Sequence, residues 1–131
     1  MQLHHEMPDF AYAFRATEGG RSVTLDDRVL VRSVELTRSF VVAPDALVEE
    51  WQVGEVADLS LELLEPVLRL NPELVILATG KTQVFPSPAV MAACLGRGIG
   101  LEVMNNQAGA RTFNLLASEG RKVVGAFILA G

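Results

Sequence analysis

Six residues in the second half of the chain have the types and spacing to share a polar site. Thr79, Gly80 and Lys81 follow one apolar run, Glu102 lies inside a second, and Arg111 and Asn114 come after it. Glu102, within Gly98-Ile99-Gly100-Leu101-Glu102-Val103-Met104, is the most demanding of them. A carboxylate in an apolar strand costs of order several kcal/mol when buried without partners, so it needs a partner or exposure. Arg111 supplies the complementary charge and shares one helical face with Gln107, Asn114 and Ser118. If that face turns toward the strand end, Arg111 pairs with Glu102 and the pair lines a cleft for a small polar ligand. The competing arrangement leaves those four residues in solvent and packs Ala110, Phe113, Leu116 and Ala117 on a sheet.

Other chemistry fits less well. Gly80-Lys81-Thr82 ends like a phosphate-binding loop, but the spacing requires glycine at position 75, where Val75 stands inside a strand. Thr79 and Gly80 instead suit a tight turn at the carboxyl end of a parallel strand, where open α/β sheets bind ligands and Lys81 can meet an anion or simply face solvent. Gly96, Gly98 and Gly100 precede a strand, whereas a dinucleotide fingerprint follows one, so they mark a helix stop and a strand start. Nucleophilic catalysis lacks a base, because His4 and His5 are the two histidines and both belong to an N-terminal segment, residues 1–9, expected to be mobile. Cys94 among Met91, Ala92, Ala93 and Leu95 is a buried helix residue, and His4-His5-Glu6 lacks the rigidity of a metal site. No cofactor or metal is implied, and a binding role is favoured over an enzymatic one.

The elements that must position these residues follow from periodicity. Alternation at Phe10, Tyr12 and Phe14, the turn Thr17-Glu18-Gly19-Gly20 and the run from Ser22 predict a hairpin. Asp26-Asp27 reads as the next turn, residues 28–32 as a short strand and 34–42 as a longer one ended by Pro44. Residues 46–51 read as a helical turn capped by Asp45, and Asp58 or Ser60 caps a helix carrying Leu61, Leu64 and Leu68, bent or shortened by Pro66. Leu74–Ala78 is a strand covered on both faces. Ser87-Pro88 starts a helix to about Arg97, Gly100–Met104 is a strand, Asn106 caps a helix from about Gln107 to Ser118, and Val123–Leu129 is the last strand. Strand, helix, strand, helix, strand predicts a mainly parallel sheet behind an N-terminal β region.

A chain of 131 residues is read as a single domain that buries roughly two-thirds of its unfolded surface. Half of it is hydrophobic and 21% charged, the composition of a compact soluble fold. A net charge of −5 with only Lys81 and Lys122 as lysines argues against nucleic-acid binding. No apolar run approaches the ~20 residues of a membrane span, and no secretory signal precedes Phe10. Together with the single cysteine, these features lead to the expectation of a cytosolic protein.

Four stretches in order resemble one family: Pro72 to Gly80, Gly98 to Met104, Ala110 to Asn114, and Glu119 to Val123. It is a family of small α/β proteins of largely unassigned function that includes a mitochondrial assembly factor of NADH:ubiquinone oxidoreductase, complex I. The resemblance implies a three-layer α/β fold: a central mixed, mostly parallel sheet with one antiparallel core strand, flanking helices, and a smaller N-terminal β layer. Where the family reads Gly-Thr-Gly this chain has Ala78-Thr79-Gly80, so the turn is retained and a ligand role for the first glycine is not. The resemblance further implies a non-catalytic role in assembling a respiratory complex, with subunits of NADH dehydrogenase as partners and, through them, a place peripheral to the inner membrane. Without a mitochondrial presequence the chain reads as a bacterial member.

Overall fold

Residues 10–129 are described by the computed structural model. Alternating apolar residues give β1 (Tyr12–Glu18) and β2 (Ser22–Asp27), and with β3 (Arg32–Leu36) they form an antiparallel sheet in the order β1-β2-β3. Phe14, Val23, Leu25 and Leu36 are buried on one face, while Arg15 and Glu35 are exposed. The chain then enters a second sheet through β4 (Phe40–Ala43) and β5 (Ala46–Val48). A 3-10 turn at Val56–Asp58 leads to α1 (Leu61–Leu68), β6 (Leu74–Ala78), α2 (Pro88–Leu95), β7 (Gly100–Met104), α3 (Asn106–Ser118) and β8 (Val123–Phe127).

The second sheet has the order β5-β4-β8-β6-β7. β6 pairs in parallel with β7 and β8, and β4 is antiparallel to both of its neighbours, so β4 alone runs against the other four. The mixed, mostly parallel sheet with one antiparallel core strand is therefore as the family resemblance implies. α1, α2 and the segment from Trp51 to Leu59 cover one face, over Val41, Val75, Leu77 and Val124. α3 and the inner face of the small sheet cover the other, over Phe40, Val42, Ile76 and Ala78.

An aromatic cluster joins these layers. The Phe127 ring stacks on Phe40 at 5.2 Å between centroids and lies 4.6 Å from Phe14, whose ring meets Phe113 of α3 edge-on at 5.4 Å. Such pairs add about 0.5–1.5 kcal/mol each beyond burial of their area. One ring comes from the small sheet, two from the large sheet and one from the helix, so the cluster fixes the small sheet's place over the large one.

Four sequence expectations are corrected. The turn lies at residues 28–31, expected as strand, and not at Asp26-Asp27, which end β2, because the Asp27 carboxylate accepts the amides of Val29 and Leu30 and bends the chain there. The expected strand 34–42 is two strands in different sheets. They part at Thr37-Arg38-Ser39, where the buried Ser39 hydroxyl donates to the Val53 carbonyl at 2.6 Å and accepts the Leu129 amide at 2.9 Å. Residues 46–48 form β5, not a helical turn, since Ala43 and Ala46 are paired and leave Pro44-Asp45 as a two-residue hairpin loop. Asn105, not Asn106, caps α3, accepting the Ala108 amide on Oδ1 at 2.8 Å. The N-terminal segment 1–9, with His4, His5 and Glu6, lies outside the described residues. Among the described residues, no helix is long and apolar enough to cross a membrane.

Candidate functional site

The C-terminal ends of β6 and β8 meet the start of α3, and the side chains of Thr79 and Asn106 with the backbone of Gly80 hold that junction. Thr79 follows β6 directly. Its hydroxyl donates to the Thr82 carbonyl at 2.7 Å and accepts the Val84 amide at 3.0 Å, which closes the turn after the strand. Gly80, with φ of +100°, donates its amide to Asn106 Oδ1 at 2.8 Å. Asn106 is 1% exposed; its own amide donates to the Gly80 carbonyl at 2.8 Å and its Nδ2 to the Ile128 carbonyl at 3.2 Å. One asparagine thus ties the ends of two strands to the first turn of a helix. A buried amide bonded through both its oxygen and its nitrogen rigidifies its surroundings, and each group its loss leaves unpaired costs about 1–3 kcal/mol.

The β1–β2 turn closes onto this junction. A Cβ on Gly20 would stand 2.8 Å from the Lys81 amide nitrogen, so only glycine permits the approach. Recesses lie on both sides of the contact between Gly19-Gly20 and Gly80-Lys81. One, of about 350 Å³, is bordered by Thr17, Asn105 and Gln107. The other, of about 320 Å³, is bordered by Glu55, Ala57, Thr79 and Val84. The exposed Lys81 borders both. A third recess of about 320 Å³ contains Arg15, Arg111 and Asn114, and shares Thr17 and Gln107 with the first.

The six residues singled out from the sequence are therefore divided. Thr79, Gly80 and Lys81 stand together, and Arg111 and Asn114 stand in the adjoining recess. Asn114 is already engaged, accepting the Phe14 amide at 2.8 Å and donating to the Phe14 carbonyl at 2.9 Å. Glu102 lies elsewhere. It projects from β7, the outer strand of the large sheet, is exposed, and borders none of these three recesses. Among the described residues Glu102 and Arg111 form no ion pair. The arrangement found has Ala110, Phe113 and Ala117 buried against the sheets. An edge strand leaves Glu102 hydrated, and a charge there also discourages pairing with another chain. Sequence reasoning missed Asn106 as the central tie and Gly20 as the close contact. The Asn-Asn pair after a strand and the Gly-Gly turn were their only signals.

At the opposite end of the sheet, where β6 and β8 begin, a recess of about 420 Å³ is bordered by Pro44, Asp45, Asn71, Arg121 and Lys122. Beside it Glu73 accepts the Lys122 amide and the Arg121 Nε, each at 2.9 Å. The backbone hydrogen bond from Lys122, followed by the bond from Arg121, holds the Glu73 carboxyl below its ordinary range. Cys94 is buried in α2, and burial pushes its thiol up, away from the reactive thiolate. Among the described residues, no group of three or more His, Cys, Asp or Glu is placed to hold a metal ion.

Comparison with known proteins connects this architecture to others. The chain is 35% identical over 91 residues to a mouse protein named NADH dehydrogenase [ubiquinone] 1 alpha subcomplex assembly factor 3, an alignment spanning 68% of this chain and 48% of the mouse protein. The chain spans about half the length of the curated relatives of that name. Its fold matches the NMR structure of a Xanthomonas campestris protein with a TM-score of 0.81 at 47% identity, covering 100% of this chain and 94% of that one. A Bordetella pertussis protein described as a Mth938-like domain matches with a TM-score of 0.77 at 26% identity, covering 100% and 94%. The family model described as Protein of unknown function (DUF498/DUF598) matches residues 22–128, and the chain belongs to that family.

Proposed function

We propose that this protein is a non-catalytic assembly or interaction factor that acts on subunits of a respiratory NADH dehydrogenase through its surface. The supporting likeness is to relatives named as assembly factors, at 35% identity over 68% of this chain. The observation that carries the non-catalytic part is how the polar residues at the strand ends are used. Thr79, Asn106 and Asn114 give their hydrogen bonds to the protein's own backbone. Among the described residues, no buried side-chain polar atom lacks a partner. A site built for a buried polar ligand holds such groups in reserve; here they hold the fold. Deleting the gene in its native cells and quantifying assembled NADH dehydrogenase tests the proposal, and undiminished complex would refute it.

A second reading is a small polar ligand held beside Lys81. It is favoured by the exposed ammonium bordering two recesses and by Gln107, which links one of them to the recess of Arg15 and Arg111. Equilibrium binding of candidate anions to the purified protein, with Lys81→Ala and Arg111→Ala as controls, decides it; binding unchanged in both variants excludes this location.

A further inference from the structure

The tip of the β2–β3 hairpin does the reverse of what folding favours. Val29, Leu30 and Val31 are consecutive, lie in the turn, and are 48%, 64% and 86% exposed. Val31 also has φ of 56°, a left-handed conformation in which Cβ crowds the following carbonyl and which β-branched residues seldom adopt. The turn is braced from beneath: buried Asp27 accepts the Val29 and Leu30 amides at 3.2 and 3.0 Å and Arg32 Nε at 3.4 Å. Three aliphatic side chains are thereby held outward on a stiff loop.

Their surroundings are cationic. Arg28 and Arg32 flank the tip, and Arg15 lies on the neighbouring strand; all three are exposed. The nearby carboxylates are less so: the Asp27 side chain is 4% exposed and that of Asp26 31%, the latter receiving Arg15 Nε at 2.8 Å. In a chain of net charge −5, Arg15 and Arg32 reach Asp26 and Asp27 while their side chains stay 62% exposed, and the Arg28 guanidinium lies 4.6 Å from the centre of the Phe10 ring, so three exposed guanidinium groups gather around this apolar tip. Three residues are too few for a stable protein interface, which takes roughly 20–30 residues a side. A bilayer boundary accepts an apolar tip of any shape, and anionic headgroups supply the phosphates that guanidinium groups bind best.

We propose that this tip docks the protein reversibly on anionic phospholipid membranes, with Val29, Leu30 and Val31 entering the acyl boundary and Arg15, Arg28 and Arg32 meeting lipid phosphates. The inference does not rest on the assembly role and is tested with the purified protein alone. Co-sedimentation is measured with vesicles of equal parts phosphatidylglycerol and phosphatidylcholine, and with phosphatidylcholine alone, at low and high salt. The expected result is binding to the anionic vesicles at least about ten-fold tighter than to the neutral ones, weakened by salt as exposed charge contacts are. Leu30→Ser and Val31→Gly should each weaken it about five-fold or more through lost apolar insertion, with thermal unfolding midpoints no lower than the parent's, since both side chains face solvent and glycine suits φ at position 31. Absence of binding, equal binding to neutral vesicles, or full binding by both variants overturns the proposal. So does a concentration-dependent dimer that forms without vesicles and is lost in both variants, which would make the tip a self-association surface.

Discussion

Asn114 takes both backbone hydrogen-bonding groups of Phe14, receiving its amide on Oδ1 at 2.8 Å and donating from Nδ2 to its carbonyl at 2.9 Å. Phe14 lies where β1 shifts register against β2, between Phe14 and Ala16. The asparagine amide has the same donor and acceptor geometry as a peptide group, so it stands in for a neighbouring strand at that shift. The Phe14 ring meanwhile packs among Phe40, Phe113 and Phe127. Helix and small sheet are joined at one residue, through its backbone and through its ring.

Asn114→Ala should therefore destabilise the fold by about 2–3 kcal/mol, the sum of two partly buried hydrogen bonds and the groups left unpaired. Asn114→Asp should not restore it, because a carboxylate cannot donate to the Phe14 carbonyl. Chemical denaturation measures both. Parent-like stability in the alanine variant would return Asn114 to the pool of ligand-binding candidates.

Asn106→Ala should cost roughly 3 kcal/mol, since the residue is 1% exposed and its side chain satisfies the Gly80 amide and the Ile128 carbonyl. Gly20→Ala should cost about 2 kcal/mol or more, from φ of +81° and from the approach to Lys81. Unfolding midpoints of the two variants test whether the strand-end junction is a structural joint.

Acid should weaken the protein through Asp27 and Glu73. Hydrogen bonding to Leu30, with smaller help from Val29 and Arg32, outweighs burial and holds the Asp27 carboxyl below its ordinary 3.8; Lys122 and Arg121 hold Glu73 below 4.5. Both folded-state values are depressed, so this stabilisation is complete above the ordinary values and is lost as pH falls through the lowered ones. Asp27→Asn and Glu73→Gln should each flatten the acid limb of a stability-versus-pH curve below about pH 4.5. An acid limb unchanged in both variants would contradict the assignment.

Glu102→Gln and Arg111→Ala should leave stability within about 0.5 kcal/mol of the parent, because both side chains are exposed and unpaired with each other. They are therefore clean probes of surface function. A large loss of stability in either would show that the residue serves the fold instead.

The second half of the chain was legible in the sequence because its signals are local. Ser87-Pro88 starts α2, Gly120 closes α3 with φ of +77°, and continuous apolar runs mark β6 and β8. The first half was less so. A β pattern running from Val34 to Val42 conceals a change of sheet at Ser39, since propensity does not record which sheet a strand joins. Val29-Leu30-Val31 has strand composition but forms a turn because of one buried carboxylate. At the candidate site, the helix period placed Arg111 and Asn114 on one face correctly. It could not show that β7 is an edge strand where Glu102 needs no partner, nor that Asn114 is committed to a residue 100 positions away.

The central claim is tested most directly by deleting the gene in its native cells and measuring fully assembled NADH dehydrogenase on native gels, with the gene restored as control. An assembly factor predicts a marked fall in assembled complex, recovered on restoration and recovered equally by the Glu102→Gln gene. Assembled complex at parental levels in the deletion strain would contradict that role and return attention to the recess beside Lys81.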